Sequence, residues 1–159
     1  MKIPALQAIF LAELSALLPA WQFANNKRQF KRLEGHTNWL FHITFVKRPN
    51  GFDALGDVAV EFVAKRKRVA ILGAQLANIA RIGYSPHSVE SQASAIESAK
   101  SLAAEFQTVG MPFLQRYSDP AIALATLQAG GREASLISPL QHLQAEQALA
   151  LQQILAPPN

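Results

Sequence analysis

Ten consecutive residues constrain this chain more than any other part of it. From residue 38 to 47 the side chains alternate. Trp39, Phe41, Ile43 and Phe45 fall on one side of an extended backbone, and Leu40, His42, Thr44 and Val46 fall on the other. Aromatic and β-branched residues at a period of two describe a strand whose bulky face covers a core. The opposite face is mixed, as expected of a sheet surface that is only partly exposed.

Two neighbouring segments extend this strand into a meander. Residues 28–34 and 57–65 read as its partners, the first joined through Gly35-His36 and the second through the turn signal Arg48-Pro49-Asn50-Gly51. The loop after Arg48 is expected to run to Gly56. Residues 65–83 fit two patterns, with a short fourth strand over 68–72 followed by irregular or helical chain preferred.

The flanks read as helices. Pro4 suits the first turn of a helix that Pro19 ends, with Ile3, Leu6, Phe10, Leu14, Leu17 and Leu18 at three-to-four spacing. Glu13 and Gln7 interrupt that apolar run and no small-x-small site follows it. A docked amphipathic helix is therefore expected rather than a secretory leader. Ser85-Pro86 is expected to open a helix carrying Val89, Ala93, Ile96, Ala99, Ala103 and Phe106, with Gly110 as its stop. Residues 111–117 read as a short helical turn. Asp119-Pro120 opens a further helix that ends at Gly130-Gly131. Ser138-Pro139 opens the last, before a frayed Pro157-Pro158-Asn159 tail. The fold class is α+β: a three- or four-stranded antiparallel meander packed against an N-terminal helix and several C-terminal helices, as one domain over 1–159.

An aromatic-x-Arg strand (Phe30, Arg32), a turn, a Trp-led strand (Trp39 to Phe45), a third strand and a helix closing in GMPFLQRYSD (Gly110 to Asp119) resemble bacterial DUF4304-type domains. The likeness covers roughly residues 21–127. It implies a small α+β protein with an antiparallel sheet on helices, and it lends no activity. Residues 65–83 and the last helix fall outside the shared pattern.

Composition narrows the chemistry. With no cysteine, disulfides, thiol catalysis and Cys-ligated metals are excluded, and a cytoplasmic location is the expectation. No segment has the uninterrupted apolar length of a membrane span. Only 16% of the residues are charged. So little charge fits either an Ala-rich helical exterior or a face buried in a homodimer.

The charge that exists is uneven. Ten basic residues against four acidic ones give +6 between residues 27 and 68, while five against seven give −2 for the rest. Lys27, Lys31, Lys47, Arg48, Lys65, Arg66, Lys67 and Arg68 are the members of a basic rim along the strand ends. Such a rim protects sheet edges, docks an acidic protein surface, or neutralises phosphates in salt-sensitive nucleic-acid binding. The aromatics look committed to the core, which disfavours base stacking and ranks nucleic acid below a protein partner.

Constellations with catalytic meaning are scarce. No Gly-x-Ser-x-Gly elbow and no phosphate-cradling glycine loop occur. His87 with Glu90 and His142 with Glu146 are spaced as helix-surface pairs, so no metal is assigned. Asp53, Asp57 and Glu61 are near neighbours, but the expectation is that Asp53 and Asp57 serve the turn while Glu61 pairs with a cross-strand cation. His42, with Arg32 and Trp39, forms the candidate wall of a small-ligand pocket between sheet and helices. The leading function is a non-enzymatic binding module that engages an acidic protein partner through the basic rim, without a cofactor. Small-ligand binding is the alternative, and low-specificity nucleic-acid binding ranks third.

Overall fold

The computed structural model describes residues 1–157; the outer part of the expected frayed tail, at residues 158 and 159, lies outside them. Helix α1 (Ile3–Leu17) leads into strands β1 (Gln22–Ala24), β2 (Gln29–Glu34), β3 (Thr37–Arg48), β4 (Gly51–Ala64) and β5 (Lys67–Gln75). Next come α2 (Leu76–Ala80) and β6 (His87–Val89). Helices α3 (Gln92–Glu105), α4 (Met111–Tyr117), α5 (Pro120–Ala129), α6 (Gly131–Ile137) and α7 (Gln141–Leu155) complete the chain. The architecture is α+β, with a sheet of six antiparallel strands instead of three or four. Strands β1 to β5 lie in sequence order, and β6 pairs with the start of β4 beyond the end of β5.

The alternation of β3 decides the two faces. Register pairs share a face, so Phe30, Phe41, Val58 and Ala74 line up on one side and Gln29, His42, Asp57 and Gln75 on the other. The first side is the core. Phe10 of α1 meets Phe45 and Phe52 edge-on at 5.7 and 6.0 Å, and Phe41 stacks on Phe106 at 4.2 Å. Leu6, Phe10 and Leu14 are fully enclosed. Each contributes about 1.5–3 kcal/mol through the area it removes from water. This is why α1 docks on the sheet.

Three expectations are corrected. The loop expected to run from Arg48 to Gly56 is a two-residue turn, Pro49-Asn50, and β4 begins at Gly51. Its glycines answer to packing. A Cβ on Gly51 would lie 1.9 Å from the Val89 carbonyl oxygen of β6, and one on Gly56 would lie 2.7 Å from Phe41 and 3.0 Å from Leu76. The helix expected to open at Ser85-Pro86 begins at Gln92 instead. Ser91 caps it in a reciprocal box with Ser94, while His87–Val89 pairs with β4. Gly110 does not stop that helix. A π-helical stretch, Phe106–Gly110, carries the chain into α4. Pro112 lacks an N–H and would crowd the carbonyl four residues back, and a widened turn relieves both problems.

For residues 65–83 the sequence favours a short strand and then helical or irregular chain. The strand is longer, reaching Gln75, and places Leu72 in the core face. Helix α6, the seven residues Gly131–Ile137, is an addition that periodicity did not signal. Among the described residues no helix is long and apolar enough to cross a membrane.

Candidate functional site

The sequence-level candidates are dispersed. Arg32 and Trp39 are register partners on the core face. The Arg32 guanidinium lies 5.7 Å from the Trp39 ring and 6.0 Å from Trp21, and it pairs with Glu34 at 2.6 Å. It thus lids two indoles at the end of the core. Trp39 is buried, and its indole N–H meets no acceptor among the described residues. His42 points to the other face, beside Asp57. The structure therefore does not place Arg32, Trp39 and His42 on one pocket wall.

The rim residues split into two groups. Lys47 and Arg48 sit at the β3–β4 turn, and Lys65 to Arg68 at the β4–β5 turn. The fourteen residues of β4 separate these ends, roughly 40 Å of extended chain. Arg48 is held by Asp53 at 3.2 Å and Glu90 at 2.9 Å, and Arg68 by Glu61 at 2.7 Å. Lys27, Lys31 and Arg68 line a polar groove of about 530 Å³ on the outer face, with Glu61. Among the rim cations the groove brings together Lys27, Lys31 and Arg68.

The three carboxylates of β4 share the outer face but do not act together, since they are spaced four residues apart. Asp53 is buried and accepts from Ser88 Oγ at 2.7 Å, Arg48 at 3.2 Å and the Tyr84 hydroxyl at 3.3 Å. Burial alone would push its carboxyl up, but these donors together hold it below the ordinary range. Glu61 follows the same pattern: burial raises it, and Asn38, Arg68 and Lys31 bring it lower overall. Its pairing with Arg68 is the cross-strand ion pair that the sequence suggested.

Asp57 is different. Burial pushes its carboxyl above the ordinary range, and the opposing pull of His42 is too weak to reverse this. The His42 Nδ1 stands 3.6 Å away, beyond hydrogen-bonding distance.

Asp57 lines a cleft of about 1030 Å³. The outer-face positions Asp57, Ala59, Ile71 and Gly73 contribute from the sheet; α2 and the chain to Gly83 border it, and α6 and α7 form the opposite wall. Ala77, Leu136, Ile137 and Leu143 make much of the lining apolar. Arg81 pairs with Glu133 at 3.2 Å at its margin, and Glu133 also accepts from the Tyr117 hydroxyl at 3.0 Å. Arg132 faces the same space and has no carboxylate within ion-pair distance among the described residues. Gln147 ties α7 to the β5 edge by bonding both backbone groups of Ile71.

Residues 57–59, 71–83 and 132–147 build this cleft from three distant stretches, so sequence spacing carried no signal for Arg81, Glu133 or Gln147. The expected pairing of His87 with Glu90 is replaced by a contact with Glu105 at 2.7 Å. That contact joins β6 to α3. No group of three or more His, Asp or Glu side chains capable of holding a metal exists among the described residues.

No protein-family model matches the chain, and no curated protein and no solved structure shows significant similarity to it.

Proposed function

We propose that this protein binds a small molecule in the cleft between the β4–β5 edge of the sheet and helices α6 and α7. The carrying observation is the cleft itself. Its volume of about 1030 Å³ suits a small organic ligand, and its apolar lining is interrupted by a few polar groups able to orient one. The reading keeps the small-ligand idea drawn from the sequence but moves it away from Arg32 and Trp39. His42 touches the site only through Asp57.

Amide chemical-shift mapping with a panel of amphiphilic metabolites tests it. Perturbations are expected at Ala59, Gly73, Leu136 and Gln147. They should vanish in Ser135→Trp, which fills the cleft from an exposed helix position. A panel that perturbs no cleft residue defeats the reading.

A narrower form of the acidic-partner reading has its own support. Among the described residues, all four non-glycine residues with positive φ are cations: Arg28, Lys65, Arg66 and Arg81. Lys65 and Arg66 form the two-residue tip of the β4–β5 hairpin, a position that favours Asn-Gly. Exposed cations kept in a strained turn form an acidic-surface dock, two residues before Arg68 of the Lys27–Lys31 groove. Salt-reversible retention on an acidic peptide resin, lost in Lys65→Asn/Arg66→Gly, is the expected result.

A further inference from the structure

Three carboxylates lie on one face of one strand, and two of them have several donors each. Asp53 has Ser88, Arg48 and Tyr84, and Glu61 has Asn38 and Arg68. The third, Asp57, has only the His42 Nδ1, at a long 3.6 Å, as a neighbouring donor among the described residues, and its side chain is 37% exposed, into the cleft. The neighbouring positions on the same strand serve as internal controls: this backbone surrounds its acidic side chains with donors except where the cleft opens.

The other charged groups facing the cleft do not supply the missing donor. Arg81 is engaged by Glu133, and Glu133 by Arg81 and Tyr117. Arg132 comes from α6 on the opposite wall and makes no hydrogen bond to Asp57. His42, on the neighbouring strand, approaches no closer than 3.6 Å. A half-desolvated carboxylate against apolar walls is a strong acceptor for a charged N–H donor, because such bonds exceed neutral ones.

We propose that the ligand of this cleft is an amphiphilic amine, whose ammonium group sits on the Asp57 carboxylate and whose apolar body lies along Ile71, Leu136 and Leu143. The proposal rests on the small-molecule reading above.

Calorimetric titration of the full chain with octylamine, octanol and octanoate, which share one apolar body, tests the head-group preference. Octylamine is expected to bind roughly tenfold to a hundredfold tighter than octanol, with octanoate weakest. Asp57→Asn should bring octylamine to the level of octanol and leave octanol unchanged, which also shows that the variant is folded. In the wild-type protein the amine preference should fade on acidification, as Asp57 protonates while the amine stays charged. Equal binding of amine and alcohol, or an amine preference that survives Asp57→Asn, overturns the head-group assignment and leaves the cleft reading standing. Tighter octanoate binding that is lost in Arg132→Ala does the same and assigns an anionic ligand. If none of the three binds, or if Ser135→Trp binds as well as the wild type, the cleft reading fails and this inference fails with it.

Discussion

Gln147, in the middle of the last helix, hydrogen-bonds both backbone groups of Ile71 on strand β5: its amide oxygen accepts from the Ile71 N–H at 3.1 Å, and its Nε2 donates to the Ile71 carbonyl at 3.0 Å. A side-chain amide thus stands where the next strand of the sheet would be. It closes part of an open edge, and it holds α7 at the distance that leaves the cleft open.

Gln147→Ala should therefore cost stability out of proportion to its size. Two backbone groups lose their partners at a half-buried position, a loss of about 1–3 kcal/mol by chemical denaturation. Hydrogen exchange at Ile71 is expected to accelerate, while amides in α1 and β3 remain protected. A loss below a few tenths of a kcal/mol would show that water replaces the amide without penalty.

Asp53 clamps the chain between α2 and α3 to the sheet through Ser88, Tyr84 and Arg48. Its carboxyl is lowered from the ordinary value of 3.8. A lowered carboxyl stabilises the folded state fully above the unfolded value and loses that contribution as pH falls through the folded one. Wild-type stability should therefore drop on acidification below about pH 4, and part of that drop should disappear in Asp53→Asn. The variant is expected to be less stable at pH 7. Identical acid profiles for the two proteins would exclude this role.

Asp57 carries the opposite sign. Its carboxyl is raised, so the ionised form disfavours folding above the folded value, and the penalty vanishes below the unfolded one. Asp57→Asn should raise the melting temperature at pH 7 by a small amount, because solvent still reaches the carboxylate. The gain should fade toward pH 3. Read with Asp53→Asn, the pair gives opposite shifts from two aspartates four residues apart on one strand.

The hairpin tip offers a fourth measurement. Lys65 and Arg66 both have left-handed backbone, at φ 52° and 65°. Long side chains such as Lys and Arg pay there for a conformation that Gly accepts for want of a Cβ and Asn through local hydrogen bonds of its short side chain. Lys65→Asn/Arg66→Gly is expected to stabilise the protein by roughly 1–2 kcal/mol in urea titration. If the tip docks an acidic partner, the same variant should also lose that binding. Gain of stability with binding intact would leave the cations without a docking role.

Several elements are legible in the sequence alone. The alternation of Trp39, Phe41, Ile43 and Phe45 located the central strand and its core face, and the three-to-four spacing around Phe10 located the first helix. Both signals are periodic, and both arise from a single boundary between core and surroundings, so a linear pattern records them. The strands β1 and β6 and the helix α6 left no such trace. The first two are three residues long, and α6 is seven. Over such lengths hardly one period can repeat.

The glycines show the same limit from the other side. Gly51 and Gly56 carried loop signals by composition, yet both lie within β4, because Val89 and the Phe41–Leu76 packing leave no space for a Cβ. That reason is tertiary and has no local signature. By itself the amino-acid sequence determined the class of fold, the core face of the sheet and the pairing of Glu61 with a basic neighbour, because periodicity and short-range charge are properties of contiguous chain. Only the tertiary structure decided which cations stand together, which carboxylate lacks a donor and where a cleft opens, because those depend on how segments up to 90 residues apart meet across one strand edge.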